Sequence, residues 1–283
     1  MGLTASLALL RVHVLVVELP GRPLLRLRAE AAVRARGWVV TAEPEDADLV
    51  LVCGDPRAEV VEAVDALWGR VPVPRARRTV RAEEGLAEAL DSAARVLRDD
   101  ALQREAAATA VPAAEPRPGT RFGPLLPHWP AGLIVECALD DRGRVAAAGV
   151  RRLAAEQEED PAGLRSFVLP VADAARLLRL VGWPALALRL DRVVDLALTG
   201  TAPDRLSRRL LGVARAVRRS ETLRWVQRRE GSGVEVVPRV LALLHAAAER
   251  RDPPAPAARR LLGRDAAAVP LVVAATEEVL PRG

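Results

Sequence analysis

Residues 108–121 carry no apolar periodicity and are dominated by Pro and Ala. Such a stretch offers no apolar face to bury, so it reads as a linker. It divides the 283-residue chain into blocks of different rhythm. Each is long enough for a domain of its own, and the predicted domains are 1–107 and 122–283.

The first block alternates strand and helix signals. Residues 12–19 form a continuous apolar run, the mark of a strand buried on both faces. Pro20 and Gly21 turn the chain, and Pro23 to Arg36 has helical apolar spacing that ends at Gly37. Short strands are expected at Trp38 to Thr41 and Asp48 to Cys53, and an edge strand at Arg77 to Val80. A second helix is expected over Ala58 to Trp68, and a third over Glu83 to Ala107, frayed in its Ala-rich last half. This rhythm predicts an α/β domain: a small parallel sheet with flanking helices.

The second block predicts an α+β domain, a β-hairpin followed by a helical bundle. Gly132 to Ala138 and Arg144 to Arg151 pair around Asp140-Asp141-Arg142-Gly143, whose Asp and Gly suit a tight turn. Helices are expected over Val171 to Gly182, Pro184 to Leu198, Pro203 to Arg219 and Val236 to Arg251, with a final helical segment beyond Pro256. Pro184 at a start and Gly200 past an end give the usual asymmetry. Leu186, Leu190, Val193, Val194 and Ala197 define one apolar face, with Arg189, Asp191, Arg192 and Asp195 off it.

Charge needs care. All 42 basic residues are Arg, and the chain has no Lys, so the net charge of +5 is modest for this length. Arg is spread along the sequence and aromatics are only 2%. A platform for stacking bases is poorly supplied, and no nucleic-acid partner is expected. Cys53 and Cys137 are the only cysteines. They are too few for a disulfide framework or a metal knuckle, and a reducing cytoplasm fits. The apolar stretch Leu3 to Leu10 has no basic residues before it and reads as a strand, not a signal peptide. No apolar run is long enough to span a bilayer. No G-x-G-x-x-G or Walker pattern occurs, so no nucleotide cofactor is expected; no metal is expected either.

Three places could carry function. Cys53 ends a central strand before Gly54-Asp55-Pro56, where parallel sheets bind ligands; it also suits a small buried residue before a turn. Pro127, His128 and Trp129 form a Pro-stiffened loop. An imidazole beside an indole can hold a flat, polar-edged ligand, or Trp129 can pack the turn onto the hairpin. Arg224 and Trp225 lie in a cation-rich segment that is either partner-facing or an amphipathic helix capped by Ser220. His13 and His245 read as half-buried structural residues, and Asp140, Asp141 and Glu158 to Asp160 as solvated turns.

The loop and hairpin resemble the start of the large subunits shared by complex I (its quinone-site subunit) and nickel–iron hydrogenases. That family opens with Gly-Pro-x-His-Pro, then a Gly and a hairpin bearing Leu-Asp-Gly-Glu. Here Gly123-Pro124-Leu125-Leu126-Pro127 precedes Gly132, and Leu139-Asp140-Asp141-Arg142-Gly143 stands at the hairpin turn. Downstream, Leu223-Arg224-Trp225 and Gly231 to Arg239 resemble the family's Leu-Arg and Gly-Asp-x-x-x-Arg segments. Ala47 to Gly54 is similar to a strand of the small iron–sulfur partner subunit. The departures matter equally. Leu126 replaces the family's His, and the Cys pairs that hold nickel, iron and the cluster are absent. The resemblance implies a degenerate relative without redox centres: a non-catalytic accessory, assembly or structural protein beside a hydrogenase-like or complex-I-like enzyme. Its partners would be protein subunits, and it would be cytoplasmic or held at the inner face of the membrane through a partner. The alternative is a small-molecule-binding enzyme or sensor using the Cys53 strand end or the His128-Trp129 loop.

Overall fold

The computed structural model describes residues 11–109, 121–126, 128–155, 158–160, 163–229, 235–253, 259–275 and 279–280. The expected strand within Leu3 to Leu10 and nearly all of the linker lie outside them, as does Pro127. The chain divides into two units: 1–116 with 153–158, and 117–152 with 159–283.

In the first unit, strands β1 (His13–Glu18), β2 (Val39–Thr41), β3 (Leu49–Cys53) and β4 (Ala76–Val80) form one parallel sheet in the order β2-β1-β3-β4. All five residues of β3 are buried, as expected of a strand covered on both faces. Helices α1 (Pro23–Ala35) and α3 (Leu86–Arg98) cover one face, where Leu25, Ala29, Val33, Leu90 and Leu97 meet Val14, Leu49, Leu51 and Cys53. Strand alternation turns Leu15, Val17, Val50 and Val52 to the opposite face, where they are buried in turn. Helix α2 (Ala58–Arg70) buries Val60, Val64 and Leu67.

The long helix expected from Glu83 to Ala107 is broken at Asp99. The Asp99 carboxylate accepts from the amides of Ala101 and Leu102 and starts a separate helix, α4 (Asp100–Ala108). Gln103 of α4 accepts from the Arg75 amide at 2.8 Å and donates to the Arg75 and Val96 carbonyls. That fastens α4 to the entry of β4.

In the second unit, β5 (Arg121–Phe122), β6 (Leu133–Leu139) and β7 (Val145–Arg152) form an antiparallel sheet around the expected turn. Asp140 Oδ1 accepts from the amides of Arg142 and Arg144, which fixes that turn. Helices α5 (Arg165–Leu180), α6 (Pro184–Leu198), α7 (Pro203–Arg219), α8 (Glu221–Arg229), α9 (Val236–Glu249) and α10 (Val269–Ala275) follow. A two-residue parallel pair, β8 (Arg259–Arg260) and β9 (Val279–Leu280), is also formed. The bounds of α6 and α7 match expectation. Helix α5 starts six residues before expected and runs through Pro170, because Asp160 takes the amides of Leu164 and Arg165 and nucleates it early. Asp191 was expected off the buried face of α6 and is instead 7% exposed. It pairs with Arg179 of α5, since α6 packs against both α5 and α7 and buries more than one stripe.

Candidate functional site

A parallel sheet binds ligands beyond the carboxyl ends of its strands, where neighbouring connections leave in opposite directions. Here that point lies between β1 and β3, since β1 leads to β2 on one side and β3 stands on the other. Cys53 sits at that end and is fully buried. Burial pushes its thiol well above the usual range, so it supplies no thiolate near neutral pH.

The chain's own groups close the surrounding edge. The Leu19 amide donates to the Cys53 carbonyl at 3.1 Å, and the Gly54 amide donates to the Val80 carbonyl at 2.8 Å. Gly54 has φ +121, and a Cβ there would lie 3.1 Å from both Leu19 Cβ and Arg22 Cγ. The loops after β1 and β3 are therefore in contact. Behind them Arg26 bridges Glu18 and Glu30, and Arg34 approaches Glu30. Burial works against the Arg26 charge, but Glu30 and Glu18 more than offset it and hold the guanidinium above its ordinary value.

The anion position at this edge is taken as well. The Glu158 carboxylate accepts from the amides of Leu24 at 2.7 Å and Leu25 at 2.8 Å, in the first turn of α1. A negative group there complements both the free amides and the helix dipole. In nucleotide-binding sheets a phosphate occupies this place. The sequence suggests a solvated turn for Glu158 together with Asp160. Both cap helices instead, Glu158 in the first unit and Asp160 in the second. No local signal links Glu158 to a helix start 134 residues away, whereas the Arg26–Glu30 pair is visible as an i,i+4 spacing.

The His128-Trp129 loop lies in the second unit. Trp129 is buried, its Nε1 donates to the Leu133 carbonyl at 2.6 Å, and its ring stacks on Phe122 at 5.8 Å between centroids. One face of the indole and its N–H are thus used inside the loop. Gly123 passes beneath with φ +87, where a Cβ would stand 1.9 Å from the Leu133 oxygen and 2.7 Å from Trp129 Nε1. His128 is half-buried with φ +58, a left-handed conformation uncommon for a residue with a side chain.

Arg224 and Trp225 stand exposed on α8. Ser220 Oγ accepts from the Leu223 amide at 3.1 Å, as expected of the cap, and Arg224 donates to the Arg218 carbonyl at 2.7 Å. Trp225 is 50% exposed, the most exposed large apolar side chain among the described residues. His13 is half-buried, but His245 is exposed on α9, contrary to expectation, because it falls between the buried Leu244 and Ala246 on the outer side of the turn. Among the described residues no three His, Cys, Asp or Glu side chains cluster as metal ligands would, and no helix is long and apolar enough to cross a membrane. Comparison with protein-family models, curated proteins and solved structures finds no match to this chain.

Proposed function

We propose that this protein is a non-catalytic accessory or assembly component acting beside a hydrogenase-like or complex-I-like redox enzyme through protein contacts. The observation that carries this reading is the self-occupied edge of the first unit. Glu158 fills the anion position on α1, the loops after β1 and β3 touch, and Cys53 is sealed beneath them. A sheet that spends its ligand edge on internal bonds serves as a scaffold, and its contacts come from its outer surface. The hairpin and loop motifs that resemble the large-subunit family supply the class of partner. Such a partner would also hold the chain at the inner face of the membrane.

One feature favours the second reading, a small-molecule sensor built on the loop. His128 holds a left-handed backbone at a loop tip, a kind of strain that gathers at functional sites. Native mass spectrometry of the purified chain with inorganic phosphate, ATP, NAD and a soluble quinone separates the two. The scaffold reading expects the bare mass in every mixture. A stoichiometric adduct removed by His128→Ala would replace it with the sensor.

A further inference from the structure

Arg occurs along the whole chain, but neither its density nor its pairing is even. In the first unit Arg26, Arg36, Arg70 and Arg77 each meet a carboxylate. Residues 203–229, which form α7 and α8, hold nine arginines against two carboxylates, a surplus larger than the chain's entire net charge of +5. On α7, Arg205, Arg208, Arg215 and Arg219 are all exposed, and among the described residues none has a carboxylate within ion-pair distance. With Gly212 they fall at intervals of three, four, three and four residues. That spacing draws one straight stripe along a helix, about 21 Å long at 1.5 Å per residue. The stripe has no side chain at its centre, where Gly212 faces open space. The apolar face of α7, with Leu206, Leu210, Val213 and Val217, is already buried in the bundle.

We propose that this stripe is the docking surface for an acidic α-helix of a protein partner, an inference that rests on the scaffold reading above and names the chemistry of its partner. Three observations select that occupant. The charge is uncompensated and of one sign, so it calls for an anionic partner. The stripe is straight and repeats at three and four residues, so Glu side chains at the same three-four spacing on a crossing helix can follow it. The gap at Gly212 admits close approach of a second backbone. Each guanidinium fork then takes a carboxylate with two parallel hydrogen bonds. Insertion into a membrane would require a continuous apolar face, whereas α7 buries Leu206, Leu210, Val213 and Val217 and leaves Leu211 exposed singly, and single-stranded nucleic acid would require a row of aromatic side chains where α8 has Trp225 alone.

The test uses the full chain and a fluorescent Ala-rich helical peptide with Glu at three-four spacing along one face. Three competitors are a scrambled isomer of equal charge, a 20-mer oligothymidylate and vesicles rich in phosphatidylglycerol. The ordered peptide is expected to bind roughly tenfold more tightly than the scrambled one, with affinity falling steeply as salt rises. Arg208→Glu with Arg215→Glu should abolish binding, and Arg142→Glu on the hairpin turn should leave it unchanged. Because all three positions are exposed, circular dichroism should show the fold intact; if the reversal variant is altered, Arg208→Ala with Arg215→Ala serves in its place. Equal binding of the two peptides, unchanged binding by the variant, or tighter binding of the oligonucleotide or the vesicles would overturn the proposal. The scaffold reading fails by a different result, a small-molecule adduct, so the two failures are distinguishable.

Discussion

A methyl group at Gly123 would stand 1.9 Å from the Leu133 oxygen, on a backbone already at φ +87. Gly143 has a similar φ of +73 but open space around it. Gly123→Ala should therefore destabilise the second unit by about 3 kcal/mol, and Gly143→Ala by about 1 kcal/mol, read from denaturant titrations. Trp129→Phe keeps the stack on Phe122 but leaves the buried Leu133 carbonyl without its donor, at a cost of about 1–3 kcal/mol. Asp48 gives a pH-dependent case. Burial raises its carboxyl above the ordinary value, outweighing the bond it accepts from the His13 amide. The folded state then holds that proton to higher pH than the unfolded chain does. Stability contributed by this group is greatest below the ordinary Asp range and falls as pH rises through the raised value. Asp48→Asn keeps the acceptor and should lift neutral-pH stability relative to wild type, with the gap opening across mildly acidic pH in thermal melts. Cys53 was legible as a buried strand residue because it ends the apolar run Leu49 to Val52 just before the turn at Gly54-Asp55-Pro56. The Trp129 bond was not, since an indole beside prolines suits a binding loop and a packed turn equally.

At the scale of elements, legibility followed local chemistry. Helices α6 and α7 begin at Pro184 and Pro203, and their limits were readable from those residues and the apolar spacing that follows. Helix α5 was readable only in part, because Pro170 looks like a start when Asp160 has already supplied one upstream. Glu158 was illegible, since its partner amides lie in a distant helix. Its role predicts a specific outcome. Glu158→Ala should lower the stability of the first unit by about 1 kcal/mol, while Glu159→Ala, on the neighbouring exposed residue, should leave it unchanged. Hydrogen exchange at the Leu24 and Leu25 amides reads the effect directly, and faster exchange in the Glu158 variant alone is the expected result.

For the molecule as a whole, an α/β block followed by a hairpin and helices was visible in the change of periodicity at the linker, and the sheet and helices bear that out. The sequence did not reveal that 153–158, well past the linker, joins the first unit. Such a return depends on tertiary contacts that leave no periodic trace. Linear composition shows the Arg surplus over 203–229, but not that Arg205, Arg208, Arg215 and Arg219 line one exposed stripe, which is a property of the folded surface. Together these features describe a protein whose sheet edge is closed from within in the first unit and whose helix α7 exposes a stripe of one-signed charge. The role proposed for it is to work through a protein partner. The most direct measurement is capture of the tagged full chain from a lysate of its own host, with quantitative mass spectrometry of what co-purifies. Recovery of hydrogenase-like or complex-I-like subunits in near-equal amounts is the expected result. Recovery of the chain alone, at low salt and without detergent, would contradict it.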